Sequence, residues 1–220
     1  DRLRDTQRFR VRHLSRHLVS ARLMAALLLS GGMDSVSIAW WTRPALSIFV
    51  DYGQKPAQAE EAAGRAAADA MGLRYEVIRA DCSALGSGDL AGRPASAVAP
   101  ASEWWPFRNQ LILTLAGTAA LQSGETELMI GALRTDGHHA DGRAEFIEKI
   151  SALMEMQEGG LKVSAPAIGY SASELVEASR IPQSVLGWAH SCHTGNLACG
   201  QCRGCVKHYE TWEELGWTPH

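Results

Sequence analysis

Apolar and polar positions along this chain fall into two kinds of block: short apolar runs and longer stretches with helical period. "MAALLLS" (24–30) is an apolar run of strand length and predicts a buried strand. The apolar pattern then halts at "GGMDS", and Val36 to Trp41 reads as the start of a helix. "ALSIFVDYG" (45–53) predicts a second strand. The alanine-rich "AQAEEAAGRAAADAMG" (57–72) predicts a helix stopped by Gly72, and "LRYEVIRA" (73–80) a third strand. Period is lost across residues 81–105, a Gly/Pro/Ser-rich loop long enough to suggest function or mobility. After it come a helix from about Arg108 to Gln122, a strand over 127–133 and the polar loop "RTDGHHADG". A helix from about Arg143 to Gln157, a short strand in "LKVSAPAI" and a helix near Ser173 to Ser179 complete the pattern. The alternation predicts an α/β fold, doubly wound, with a mostly parallel sheet and helices on both faces.

Composition changes this picture little. A chain of 220 residues, 46% hydrophobic and 20% charged with formal net charge −3, is ordinary for a soluble globular protein. No apolar run approaches a membrane span, and nothing at the start resembles a secretory signal. Asp1 rather than Met heads the chain, so it need not begin at its native start. Residues 1–23 carry seven arginines against two aspartates. They read as a solvated leading segment in which Phe9 and Val11 alternate like a short edge strand, or as a basic arm that docks on a partner. Residues 24–187 form the α/β unit, and a cysteine-rich segment starts near residue 188.

The interruption after the first strand carries the first chemistry. "SGGMDS" (30–35) joins a strand to a helix, where glycines leave backbone N–H groups convergent and the helix dipole favours an anion. Without the lysine of G-x-x-x-x-G-K-[ST] it is not the loop of γ-phosphoryl-transfer enzymes. Asp34 beside a phosphate site makes sense when a divalent cation intervenes, and Ser30 and Ser35 add hydroxyls.

The second lies in the tail, Cys192-x6-Cys199-x2-Cys202-x2-Cys205. Four thiolates at knuckle spacing suit a closed, structural Zn2+ site, with an iron–sulfur cluster as the chemical rival. Clustered free cysteines argue for a reducing, cytoplasmic setting. Cys82 stands alone and reads as a small buried residue.

"SGGMDS" resembles the loop of the ATP pyrophosphatases that adenylate a carboxylate and release pyrophosphate. With "VDYGQ" (50–54), "PFRNQLILTLAG" (106–117), "IGALRTDGHHADGRAEFI" (130–147) and the cysteine tail, the chain from Met24 onward resembles the QueC family of 7-cyano-7-deazaguanine synthases. The resemblance implies ATP- and Mg2+-dependent adenylation of 7-carboxy-7-deazaguanine. Attack by ammonia then gives the amide, and a second adenylation gives the nitrile. It implies that Ser30, Gly31, Gly32, Met33, Asp34 and Ser35 hold phosphates and metal, and that Tyr52, Gly53, Gln54, Arg108 and Asn109 contact ATP or substrate. Catalytic roles fall to Asp34, Ser35, Arg108, Asp141 and Arg143, and the deazapurine to Trp105, Phe107, Asp136 and Glu145. A homodimer is expected by family analogy.

Phe107, Gly142 and Ala144 depart from the family pattern, and His138 and His139 have no place in it; a solvated loop is their expected setting. Two alternatives stay open. One is a diverged ligase that joins the carboxylate to an amine on a protein or nucleic acid and stops at the amide. The other is a non-catalytic, zinc-containing nucleotide-binding module.

Overall fold

The computed structural model describes residues 24–218; the arginine-rich segment and its edge-strand reading lie outside the described residues. Five strands form one parallel sheet: β1 (Ala25–Leu28), β2 (Leu46–Asp51), β3 (Tyr75–Arg79), β4 (Glu127–Met129) and β5 (Lys162–Ser164), in the order β3-β2-β1-β4-β5. The alternating directions of side chains along a strand build two cores from one sequence. Ala25, Leu27 and Leu29 face one layer, and Ala26 and Leu28 face the other.

Eight helices attach to this frame among the described residues: α1 (Met33–Thr42), α2 (Ala57–Met71), α3 (Gly88–Ala91), α4 (Arg108–Gln122), α5 (Ala144–Glu155), α6 (Ala172–Ser179), α7 (Gln183–Leu186) and α8 (Arg203–Glu214). Residues of α1, α2, α6, α7 and α8 join the first core, those of α4 and α5 the second. The doubly wound arrangement expected from the alternation is therefore present. The strands are shorter than the apolar runs that announced them, because each run continues into the loop that leaves the sheet. Helix α1 starts at Met33 rather than Val36, since extended Gly32 (φ −73°, ψ 157°) serves as its N-cap.

Two findings differ more. The 81–105 stretch is not featureless; it carries a 3-10 turn at Ser83–Leu85 and the short α3. The cysteine-rich tail continues into a three-turn helix, α8, whose Trp212 is 2% exposed and packed in the first core.

The strand order reverses between β1 and β4, which pair directly. In open α/β sheets ligands bind at such a switch point, outside the carboxyl ends of the strands. The segments after β1 and β4 both open there, and both carry the polar residues singled out above.

Candidate active site

The loop after β1 is held by its glycines. Gly31 has φ +81°, and a Cβ there would lie 2.4 Å from the Glu60 carbonyl oxygen of α2. Loop and helix are thus too close for any other residue. Gly32 has no side chain with which to cap α1, and the first N–H groups of a helix lack partners within it. Gly32, Met33, Asp34 and Ser35 all line the cavity, where an anion would satisfy such donors. The Ser35 hydroxyl donates to the Gly32 carbonyl at 3.0 Å, and the Ser30 and Ser35 hydroxyls lie 3.1 Å apart, so both are anchored at the loop mouth.

The tail closes over this loop. The His190 N–H donates to the Gly31 carbonyl (2.9 Å), and the Asn196 side chain accepts from the Ala59 N–H at the start of α2 (3.1 Å). Helix α8 then sends Lys207 into the site, its Nζ 2.8 Å from Asp34 Oδ2 and 3.2 Å from Asp136 Oδ1. Burial raises the Asp34 carboxyl above its usual range even against the Lys207 ammonium. Burial alone would lower the lysine, but the two carboxylates outweigh it and hold its charge above the ordinary value. Asp136 also accepts from its own Leu133 N–H at 2.9 Å, which fixes the carboxylate.

Lys207 was not foreseen from the sequence. Its signal is the spacing R-x-x-x-K directly after the third cysteine, which places Arg203 and Lys207 on one helical face.

A cavity of about 280 Å³ joins these groups, near the lower end of the ligand-pocket range of roughly 300–1,000 Å³. Its floor is apolar (Leu28, Ile48, Ile130), and its rim carries Ser30, Asp34, Arg108, Asp136 and Lys207. Of the predicted site residues, Gly32, Met33, Ser35, Tyr52, Gln54, Asn109 and Asp141 also line it. Asn109 and Asp141 hold each other: the Asn109 N–H donates to the Asp141 carboxylate (3.3 Å), and its amide donates to the Asp141 carbonyl (3.0 Å). That carboxylate caps α4, whose own N-cap Phe107 offers no side-chain bond.

On the opposite wall Gln54 donates to Glu60 at 2.8 Å. Burial pushes the Glu60 carboxyl up to about 7, opposed by the Gln54 bond and the Arg108 charge. Burial likewise raises the Tyr52 hydroxyl, keeping it neutral.

His139 departs from expectation. His138 is exposed, but the His139 side chain is 15% exposed, its Nε2 3.0 Å from Glu103 Oε1. Glu103 is buried and takes a second bond from Arg203 Nη1, also 3.0 Å.

Six predicted residues do not line the cavity: Gly31 in the glycine loop, Gly53, Trp105, Phe107, Arg143 and Glu145. Trp105 is 2% exposed and packs edge-on against Tyr52 (centroids 4.9 Å apart), so it supports the wall from behind. Phe107 is 77% exposed in a left-handed conformation (φ +54°) that turns it to solvent. Arg143 donates to the Gly137 carbonyl (2.9 Å), holding its own loop together. Glu145, in the first turn of α5, pairs with Lys149 at 2.6 Å on the exposed face. Gly53 (φ +92°) packs on Ser83 beside the rim. Cys82 is half-buried against the second core.

Cys192, Cys199, Cys202 and Cys205 bring four sulfur atoms within 4.8 Å of one another, enough to hold a metal ion. A tetrahedral Zn2+ with bonds of about 2.3 Å would set its sulfurs about 3.8 Å apart. The Cys192–Cys202 and Cys199–Cys205 pairs stand at 4.0 Å, so the residues fit such an ion. The N–H groups of His193 and Cys202 donate to sulfurs at 3.3 Å, as thiolate ligands require. Gly204 cannot change here, since a Cβ would meet the Ser191 carbonyl at 1.8 Å.

Compared with known families, residues 24–216 match the family described as "Queuosine biosynthesis protein QueC". The chain belongs to the QueC family. Among curated QueC relatives, the 7-cyano-7-deazaguanine synthase of Acidobacterium capsulatum is 31% identical over 213 residues, covering 88% of this chain and 93% of the relative. That of Methanosarcina mazei is 25% identical over 220 residues, covering 88% and 95%. The QueC match starts at Met24 and includes both the glycine loop and the cysteine cluster. Among the described residues no helix is long and apolar enough to cross a membrane.

Proposed function

We propose that this chain is an ATP-dependent carbon–nitrogen ligase acting on 7-carboxy-7-deazaguanine. It adenylates the carboxylate, releases pyrophosphate, and exchanges AMP for ammonia to give the amide. A second adenylation, of the amide oxygen, then gives 7-cyano-7-deazaguanine. One observation carries the reading: the glycine loop, paired Asp34 and Asp136, and Lys207 meet at the sheet's switch point in one cavity with Arg108.

The free N–H groups of α1 bind the pyrophosphate portion of ATP, and Ser30 and Ser35 donate to its oxygens. Lys207 adds positive charge that grows in value as pyrophosphate leaves. Arg108 pairs with the substrate carboxylate or the α-phosphate. Asp34 and Asp136 already share one cation, which fits them to hold Mg2+; that ion would supply charge neutralisation at the leaving group. The cysteine cluster would hold Zn2+ as a structural ion that fixes the start of α8. Carboxylate is a poor electrophile, and AMP a better leaving group than oxide, so positioning and charge account for catalysis without a covalent nucleophile.

The outward placement of Phe107, Arg143 and Glu145 favours a second reading, in which the reaction stops at the amide with another amine. Incubation with ATP, Mg2+ and 7-carboxy-7-deazaguanine, with and without ammonia, separates the readings by product mass. Nitrile supports the first and amide alone the second. No AMP under any condition sinks both and leaves a nucleotide-binding module.

A further inference from the structure

Glu103, His139 and Arg203 form a second cluster of titratable groups in the cavity lining. The loop between Arg134 and Arg143 turns back on itself, with the His139 N–H bonded to the Asp136 carbonyl (3.2 Å) and the Gly142 N–H to the His139 carbonyl (3.1 Å). This brings the His139 ring to the cavity wall, against Glu103 from the end of the 81–105 loop. The Glu103 side chain is 6% exposed, and its Oε1 receives both His139 Nε2 and Arg203 Nη1 at 3.0 Å. Burial would raise the Glu103 carboxyl, but those two partners hold it below its usual range and therefore ionised.

An ionised carboxylate can only accept, so the proton of a neutral His139 sits on Nε2 and Nδ1 is left as the basic nitrogen. A base held in one tautomer by a carboxylate, which is itself held by an arginine, is the arrangement that proton transfer needs.

We infer that His139, oriented by Glu103, is the general base that deprotonates the amine during attack on the acyl adenylate. This rests on the ligase reading above. The amine nitrogen bonds to the acyl carbon, and the bond from that carbon to the AMP oxygen breaks with its electron pair leaving on AMP. One N–H proton passes to His139 Nδ1 and then to solvent. Glu103 and Arg203 are positioning residues: the first fixes the tautomer and stabilises the imidazolium, and the second fixes the carboxylate. The first adenylation needs no such base, because the attacking carboxylate is already ionised. The two half-reactions therefore separate.

The experiment compares His139→Gln and Glu103→Gln with the unaltered protein in two assays. Carboxylate-dependent exchange of labelled pyrophosphate into ATP reports adenylation. Single-turnover amide formation from accumulated adenylate plus ammonia reports aminolysis. His139→Gln is expected to keep exchange within about twofold while aminolysis falls about 10²–10⁴-fold, partly restored by added imidazole. Glu103→Gln should lose less, about tenfold, again in aminolysis alone. Unchanged aminolysis in His139→Gln, or exchange and aminolysis falling together in both variants, would overturn the assignment. Absence of exchange in the unaltered protein would overturn the ligase reading beneath it.

Discussion

Replacing Lys207 with methionine removes one charge and leaves a side chain of similar length in its place. In the free protein the ammonium bridges Asp34 and Asp136 at 2.8 and 3.2 Å, and its side chain is 30% exposed. When a nucleotide enters, that charge must transfer at least partly to phosphate. At about 4 Å and an effective dielectric near 20, a full charge pair is worth about 4 kcal/mol. A hydrogen bond to a charged group contributes about 1.5–3 kcal/mol net. Because the lysine gives up carboxylate partners to make the new bonds, the lower end applies, a loss of roughly tenfold in affinity.

Three calorimetric titrations test this: the Mg2+ complex of a non-cleavable ATP analogue, AMP, and Mn2+ alone. Lys207→Met should weaken the analogue about tenfold or more and leave AMP within twofold, since AMP lacks the pyrophosphate. Mn2+ alone should bind more tightly, because the ammonium no longer competes for the two carboxylates. Equal weakening of analogue and AMP, or unchanged binding of both, would refute the role given to Lys207.

Three further outcomes are expected. Gly31→Ala combines a left-handed backbone with a Cβ 2.4 Å from the Glu60 carbonyl, so thermal and denaturant unfolding should show a loss of about 2–5 kcal/mol with ATP binding abolished. Glu60 has a folded-state pKa raised from 4.5 to about 7, so the unfolded chain ionises first and stability falls as pH rises from 4.5 to 7. Glu60→Gln should remove that slope and gain up to about 3 kcal/mol at pH 7 and above, read by denaturant titration across pH; an unchanged slope would count against the buried carboxyl. Cys202→Ser removes one sulfur from the cluster at the N-cap of α8, so elemental analysis should show loss of the bound metal. ATP affinity should fall at least as far as in Lys207→Met, since Lys207 depends on the same helix; retained affinity without metal would break that link.

The centre of the sheet was legible because β1 and most of β2 are apolar runs, and β1 needs both faces covered to bury Ala25 through Leu28. The glycine loop and cysteine cluster were legible because their chemistry depends on local spacing. Lys207 and Glu103 were not, because each acts on groups far away in sequence: Lys207 on Asp34, and Glu103 on Arg203 and His139. Helix α8 was masked by the cysteines that precede it, although Lys207, Thr211 and Trp212 already follow a helical pattern. Trp105 and Phe107 show the limit of reading by residue type. Both are large aromatics in one short run, yet one supports the cavity wall and the other faces solvent, a difference decided by the left-handed turn at Phe107.

Two of the site's three cations, Arg203 and Lys207, come from α8, while Arg108, the anions and the glycine loop come from earlier in the sequence. Without α8, Asp34, Asp136 and Glu103 would outnumber Arg108 in the cavity, and an arriving phosphate would be repelled. On the ligase reading, competence to activate a carboxylate thus follows the docking of α8, with the cysteines and the metal they are suited to gather. On that reading the cluster acts as a licence: a chain without its metal would keep its sheet and its loop but spend no ATP.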